Sequence, residues 1–91
     1  MTVVRIPSPL RKYTAGQSKV QGAGLNVGEL IENLETQYPG IKSRLCDDKN
    51  QIKRYVNVFV NDDEIRTLQG IETTIDERDE VSIVPAMAGG L

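Results

Sequence analysis

The sequence predicts an α+β fold, a mixed sheet of four to five strands packed on one main helix, and three stretches carry that prediction. Residues 26–38 set Val27, Leu30, Ile31, Leu34 and Tyr38 at helical spacing on one face, with Glu29, Glu32, Asn33, Glu35 and Gln37 outside it. Residues 54–60 alternate Tyr55, Asn57 and Phe59 with Val56, Val58 and Val60, the pattern of a strand buried on one face. Residues 80–85 repeat the alternation, with Val81 and Ile83 facing inward and Ser82 and Val84 outward.

The remaining elements fit around these three. Residues 2–7 read as a first strand, Val4 and Ile6 alternating with Val3 and Arg5, halted by Pro7 and Pro9. Residues 8–17, punctuated by Pro, Thr, Gly and charge, read as a loop, and residues 19–22 as a second strand forming a wide hairpin with the first. Asn26 is a good N-cap for the helix, and Glu29, three residues on, completes a capping box. Pro39-Gly40 ends the helix, and residues 41–45 form one further turn that tucks Ile41 and Leu45 under the sheet. After a polar loop at 47–51 and the strand at 54–60 come a turn at 61–63 and a short returning strand at 64–66. Residues 68–70 and 73–79 are loops anchored by Ile71 and Ile75, and Pro85 closes the last strand. This order excludes a simple meander. The helix between the second and third strands gives room for a crossover, so a late strand can run beside the first. Such an arrangement is the β-grasp: a domain at 1–85, followed by a flexible tail at 86–91.

Composition narrows the function. A chain of 91 residues makes one domain with one modest core. Its net charge of −2, without a basic stripe, argues against nucleic acid as a partner. No apolar run approaches the ~20 residues that span a bilayer, so no membrane association is expected. The N-terminus lacks a secretory signal pattern, which points to the cytoplasm. There is no histidine and a single cysteine, so the commonest general base and transition-metal ligand are missing, as is any intrachain disulfide. No metal site and no bound cofactor are expected, and the chain reads as a partner of enzymes rather than an enzyme itself. Asp47-Asp48 and Asp62-Asp63-Glu64 lack the spacing of a calcium loop and read as turn chemistry. Cys46 reads as a small, partly buried side chain, with a reactive or regulatory thiol as the alternative. Arg11, Arg54 and Arg66 read as solvating charges, with pairing to a partner as the alternative. The acidic group Glu72, Asp76, Glu77, Asp79 and Glu80 serves either solvation or the steering of a basic partner.

The chain's end is unusual. Residues 81–91 carry no charged side chain, although 26% of the protein is charged, and they finish in Gly89-Gly90 and Leu91. A strand fixes the exit point, and a slim segment of Ala86, Met87, Ala88, Gly89 and Gly90 follows it. Glycine lacks a Cβ and adopts backbone angles closed to other residues, so such a segment suits a narrow channel. If the two strands neighbour each other, Phe59 and Val84 meet near the tail, joined by Met87, in an outward apolar cluster of the kind that marks a docking surface; a covering loop or another register is the alternative.

These residues resemble the ubiquitin-like sulfur carriers, the group that includes the molybdopterin synthase small subunit and the thiamine-pathway carrier. The resemblance rests on the β-grasp order, on Phe59-Val60-Asn61-Asp62, and on the ending Val81 to Gly90. It is greatest to the branch serving cysteine biosynthesis, through Ile6-Pro7, Leu10-Arg11, residues 14–17, residues 30–35 and residues 54–62. It implies that a ubiquitin-activating-like adenylyltransferase/sulfurtransferase uses ATP to adenylate the carboxylate of Gly90. Sulfur then displaces AMP, and the thiocarboxylate donates its sulfur. In the cysteine branch the acceptor is a pyridoxal-phosphate-dependent cysteine synthase holding an activated serine, and a metallopeptidase releases the product. Phe59, Val84, Met87, Ala88 and Gly89 are then the expected partner-binding residues. Other thiocarboxylate roles, in molybdopterin, thiamine or tRNA thiolation, are the alternatives, as is a ubiquitin-like modifier joined to lysines. Leu91 departs from the family pattern, and the chemistry requires a peptidase to remove it first.

Overall fold

The computed structural model describes residues 1–85. The expected tail at 86–91, with Met87, Ala88, Gly89, Gly90 and Leu91, lies outside the described residues. Five strands form one sheet in the order β2-β1-β5-β3-β4. They are β1 (Thr2–Arg5), β2 (Lys19–Gly22), β3 (Val56–Val60), β4 (Asp63–Glu64) and β5 (Glu80–Pro85), with α1 (Val27–Gln37) and α2 (Ile41–Leu45) between β2 and β3. β5 runs parallel to β1 and antiparallel to β3, so the last strand occupies the centre beside the first, as the crossover argument required.

Burial follows the side-chain alternation. Val4 and Ile6, Val56, Val58 and Val60, and Val81 and Ile83 are buried on the inner face against Val27, Leu30, Ile31 and Leu34 of α1. Tyr38 packs half-buried at the rim, while Ile41 and Leu45 are fully enclosed, as the short second helix was expected to make them. The N-terminus of α1 is capped twice. Asn26 Oδ1 accepts the Glu29 N–H at 2.8 Å, and Glu29 Oε1 accepts the Leu25 N–H at 2.9 Å. The reciprocal bond of a capping box thus forms, but it reaches one residue further back than Asn26.

Two glycines are dictated by this packing. Gly40 links α1 to α2 with φ of 100°, where a side chain would be strained. Gly24 turns the chain from β2 into α1 so closely that a Cβ there would lie 2.5 Å from the backbone nitrogen of Leu30. The Glu35 carboxylate completes the α1–α2 corner by accepting the N–H groups of Gly40 at 3.0 Å and Lys42 at 2.9 Å. Those backbone bonds hold the Glu35 carboxyl below its usual range.

Several expectations are corrected. β1 stops at Arg5 rather than Pro7, and the loop expected at 8–17 begins with a 3-10 helix, Ser8–Tyr13, with a proline in its first turn. The third strand starts at Val56, not at residue 54. Arg54 and Tyr55 lie in a turn closed by the Val56 N–H donating to Lys53 O at 3.0 Å. The returning strand expected at 64–66 is limited to Asp63–Glu64 and gives way to a 3-10 helix, Ile65–Thr67. Another 3-10 turn, Gly70–Glu72, interrupts the expected loops; Ile75 is buried as an anchor, whereas Ile71 is only half-buried.

Candidate functional site

β5, the strand that leads to the expected tail, lies at the centre of the sheet. Val81 pairs with Val4 on one side and with Val60 on the other, and further along Pro85 pairs with Val56. Pro85 is the last described residue, and it has no N–H to donate to a ladder. It marks the root of the expected tail.

The outer face of the sheet carries no helix among the described residues. β5 offers Glu80, Ser82 and Val84 on it, β3 offers Asn57 and Phe59, and β1 offers Val3 and Arg5, Arg5 Nε donating to Glu80 Oε2 at 2.9 Å. Phe59 is half-buried, while Val84 is 41% exposed. The register gives the detail of their placement. Phe59 stands opposite Ser82, and Val84 stands opposite Asn57. Phe59 and Val84 therefore share a face as diagonal neighbours rather than a direct pair, a separation that an aromatic ring still spans.

Beside the tail root, at the edge of the inner face, lies a groove of about 180 Å³. Pro7, Pro9 and Leu10 form one wall, Tyr55, Ile83 and Pro85 the other, and Arg44 and Lys53 are its charged lining residues. The alternation of residues 54–60 had put Tyr55 on the outer face. Because the strand starts two residues later, Tyr55 projects from a turn, 53% exposed, and joins this groove instead.

Arg66 holds that turn in place. Its Nη2 donates to Lys53 O at 2.7 Å and to Val56 O at 3.0 Å, and its Nη1 to Asn57 Oδ1 at 3.0 Å and Glu64 Oε2 at 3.3 Å. The sequence reading of Arg66 as a solvating or partner-pairing charge is thus corrected: it clips the start of β3 to β4. Arg11 is committed as well, with Nε donating to Ile6 O at 3.0 Å. Arg54 is exposed.

The acidic groups are mostly turn builders. Asp47 Oδ1 accepts the N–H groups of Lys49 and Gln51, Asp79 accepts from Asn61 Nδ2 and from the Asp76 N–H, and Asp76 accepts from the Arg78 N–H. Among the described residues no group of three or more Cys, Asp or Glu could hold a metal ion. Cys46 is buried, and that burial pushes its thiol up, away from the reactive thiolate. Among the described residues no helix is long and apolar enough to cross a membrane.

Known proteins place this geometry. The model of the ThiS family matches residues 4–90, so Leu91 falls one position beyond the match. The sulfur carrier protein CysO of Mycobacterium tuberculosis strain H37Rv is 43% identical over 89 residues, 96% of either chain. Its crystal structure superposes with a TM-score of 0.91 over 94% of this chain and 99% of that one, at 40% identity. The Amycolatopsis orientalis BexX/CysO complex contains a chain that matches with a TM-score of 0.93, 38% identity, and coverage of 99% of this chain and 100% of that one. Small archaeal modifier protein 3 of Haloferax volcanii is 41% identical over 64 residues, 70% of this chain and 68% of that protein. With the central β5, the single main helix and the match running to Gly90, the chain belongs to the ThiS family of ubiquitin-like sulfur carriers.

Proposed function

We propose that this sulfur carrier serves cysteine biosynthesis as a protein cosubstrate, with Gly90 as its working residue. The observation that carries this reading is near-full-length similarity to CysO proteins, in sequence and in fold, with a family match that stops at Gly90. A carboxylate is a poor electrophile. Adenylation of the Gly90 carboxyl by an ATP-using partner installs AMP as a leaving group, and a sulfur nucleophile displaces it to give a thiocarboxylate. The thiocarboxylate sulfur is then nucleophilic in its turn. It is delivered to a pyridoxal-phosphate-dependent cysteine synthase, and the carrier holds no cofactor of its own.

In this reading the domain supplies recognition and the tail supplies reach. Phe59 and Val84 on the open sheet face dock the partner, while Met87, Ala88 and Gly89 thread its channel. Leu91, with anything that follows Gly90, must be cut away by a metallopeptidase before activation, because adenylation has to fall on the glycine carboxyl. The partners are cytoplasmic enzymes.

The test uses intact mass. A form ending at Gly90, incubated with ATP, a sulfur donor and the organism's adenylating enzyme, gains the mass of one oxygen exchanged for sulfur. Adding a cysteine synthase and an activated serine then yields a cysteinyl adduct; failure to form it refutes the cysteine assignment. A second reading, conjugation to lysines, is favoured by the similarity to the archaeal modifier. It predicts isopeptide-linked products in cells, found as Gly-Gly remnants on lysines after proteolysis.

A further inference from the structure

We infer that the groove beside Pro85 is the seat for the entrance rim of the adenylating enzyme, which places an apolar side chain there with a carboxylate next to it. The inference rests on the carrier function proposed above and adds a contact surface distinct from the open sheet face.

Reach comes first. The five residues 86–90 span at most about 17 Å when fully extended. An enzyme that closes around the Gly90 carboxyl must therefore bring the mouth of its active site close to Pro85. The surfaces that surround Pro85 are the outer sheet face, which carries Val84, and the groove, of which Pro85 is itself a wall. Val84 and Pro85 point to opposite faces of β5, so the two surfaces meet only around the end of the strand, where a rim closing on Pro85 reaches both.

Chemistry comes second. The groove walls are Pro, Leu, Tyr and Ile, and about 180 Å³ suffices for one projecting side chain, given that a dry cavity of about 150 Å³ accepts a benzene ring. Both charged lining residues, Arg44 and Lys53, are cations, which favours a carboxylate as the neighbouring group on the partner. The chain's own tail is a poor occupant. Ordering six backbone residues costs more free energy than burying one Met or Leu side chain returns. A folded rim has no such cost to meet.

The experiment measures pyrophosphate exchange by the organism's adenylating enzyme, with the full domain ending at Gly90 as the varied substrate. Tyr55→Asp is expected to raise the carrier KM by about tenfold or more with kcat little changed. Lys53→Glu raises KM too, and its effect fades as salt is added. Leu25→Ser is the control: Leu25 is 75% exposed and follows β2 at the end where Gly22 pairs with Thr2, away from the tail root. An unchanged KM for both groove variants overturns the inference while leaving the carrier reading intact. A KM effect confined to the later delivery to the cysteine synthase also overturns it, assigning the groove to the acceptor. A wild-type chain that is never adenylated removes the carrier reading and the groove's role together.

Discussion

Replacing Arg66 by alanine tests how the edge of the site is held. The guanidinium donates to two main-chain carbonyls, Lys53 O and Val56 O, and to Asn57 Oδ1 and Glu64 Oε2. Interior hydrogen bonds from a charged group contribute ~1.5–3 kcal/mol each. The Arg66 side chain is 40% exposed, however, so water replaces much of what is lost, and its pairing with Glu64 is a surface ion pair contributing roughly 0–1 kcal/mol. The part-buried bond to Val56 O is the one that water replaces least well. The net expectation is a loss of about 1–2 kcal/mol. At about 4–8 °C per kcal/mol for a domain of this size, the melting temperature falls by roughly 4–16 °C. Urea unfolding followed by circular dichroism gives the same loss as a lowered midpoint. Arg66→Lys recovers little, because an ammonium on a flexible stem does not reproduce the planar fork. An alanine variant with an unchanged midpoint would refute the clip and return Arg66 to the status of a solvated charge.

Three further outcomes are expected. Gly24→Ala loses about 1–3 kcal/mol of stability, read in the same urea assay, because the new Cβ meets the backbone nitrogen of Leu30 at 2.5 Å and neither can yield cheaply. Phe59→Asp lowers kcat/KM for adenylation by about tenfold or more while the near-native urea midpoint is kept; an unfolded variant would show that Phe59 belongs to the core. Glu35 has its pKa depressed in the folded state, so its contribution is present above the usual carboxylate range and is lost as pH falls through the lowered value. Glu35→Gln therefore flattens the fall in stability on acidification, and identical pH profiles for the two proteins would contradict that.

Local chemistry was the legible part of this fold. The helix at 26–38, its Asn26 cap and the strand at 80–85 are written in spacing and capping residues, which depend on neighbours in the chain. The inward set of Val56, Val58, Val60, Val81 and Ile83 follows from alternation alone. Register does not. The pairing of Phe59 with Ser82 rather than Val84 is a relation between two distant segments, and no pattern within either strand contains it. The same holds for Arg66, whose partners at 53–57 are separated from it by a turn and a strand, and for Tyr55. Valine at 56 and tyrosine at 55 suit a strand equally well; the turn closed at Lys53 O and clipped by Arg66 is what excludes Tyr55 from it. The groove thus depended on one long-range contact and one boundary, and it was invisible beforehand. The resemblance to the sulfur carriers was legible because it rests on whole motifs rather than on register.

The placement of β5 has a mechanical consequence. An enzyme that holds the tail pulls on Pro85 along the axis of a strand flanked by β1 on one side and β3 on the other. That load acts in shear, first on the ladder to β3, which runs over residues 81–85, and then also on the ladder to β1, which runs over residues 80–82. An edge strand in the same position would peel. A central last strand thus makes the domain an anchor that resists unravelling from that end.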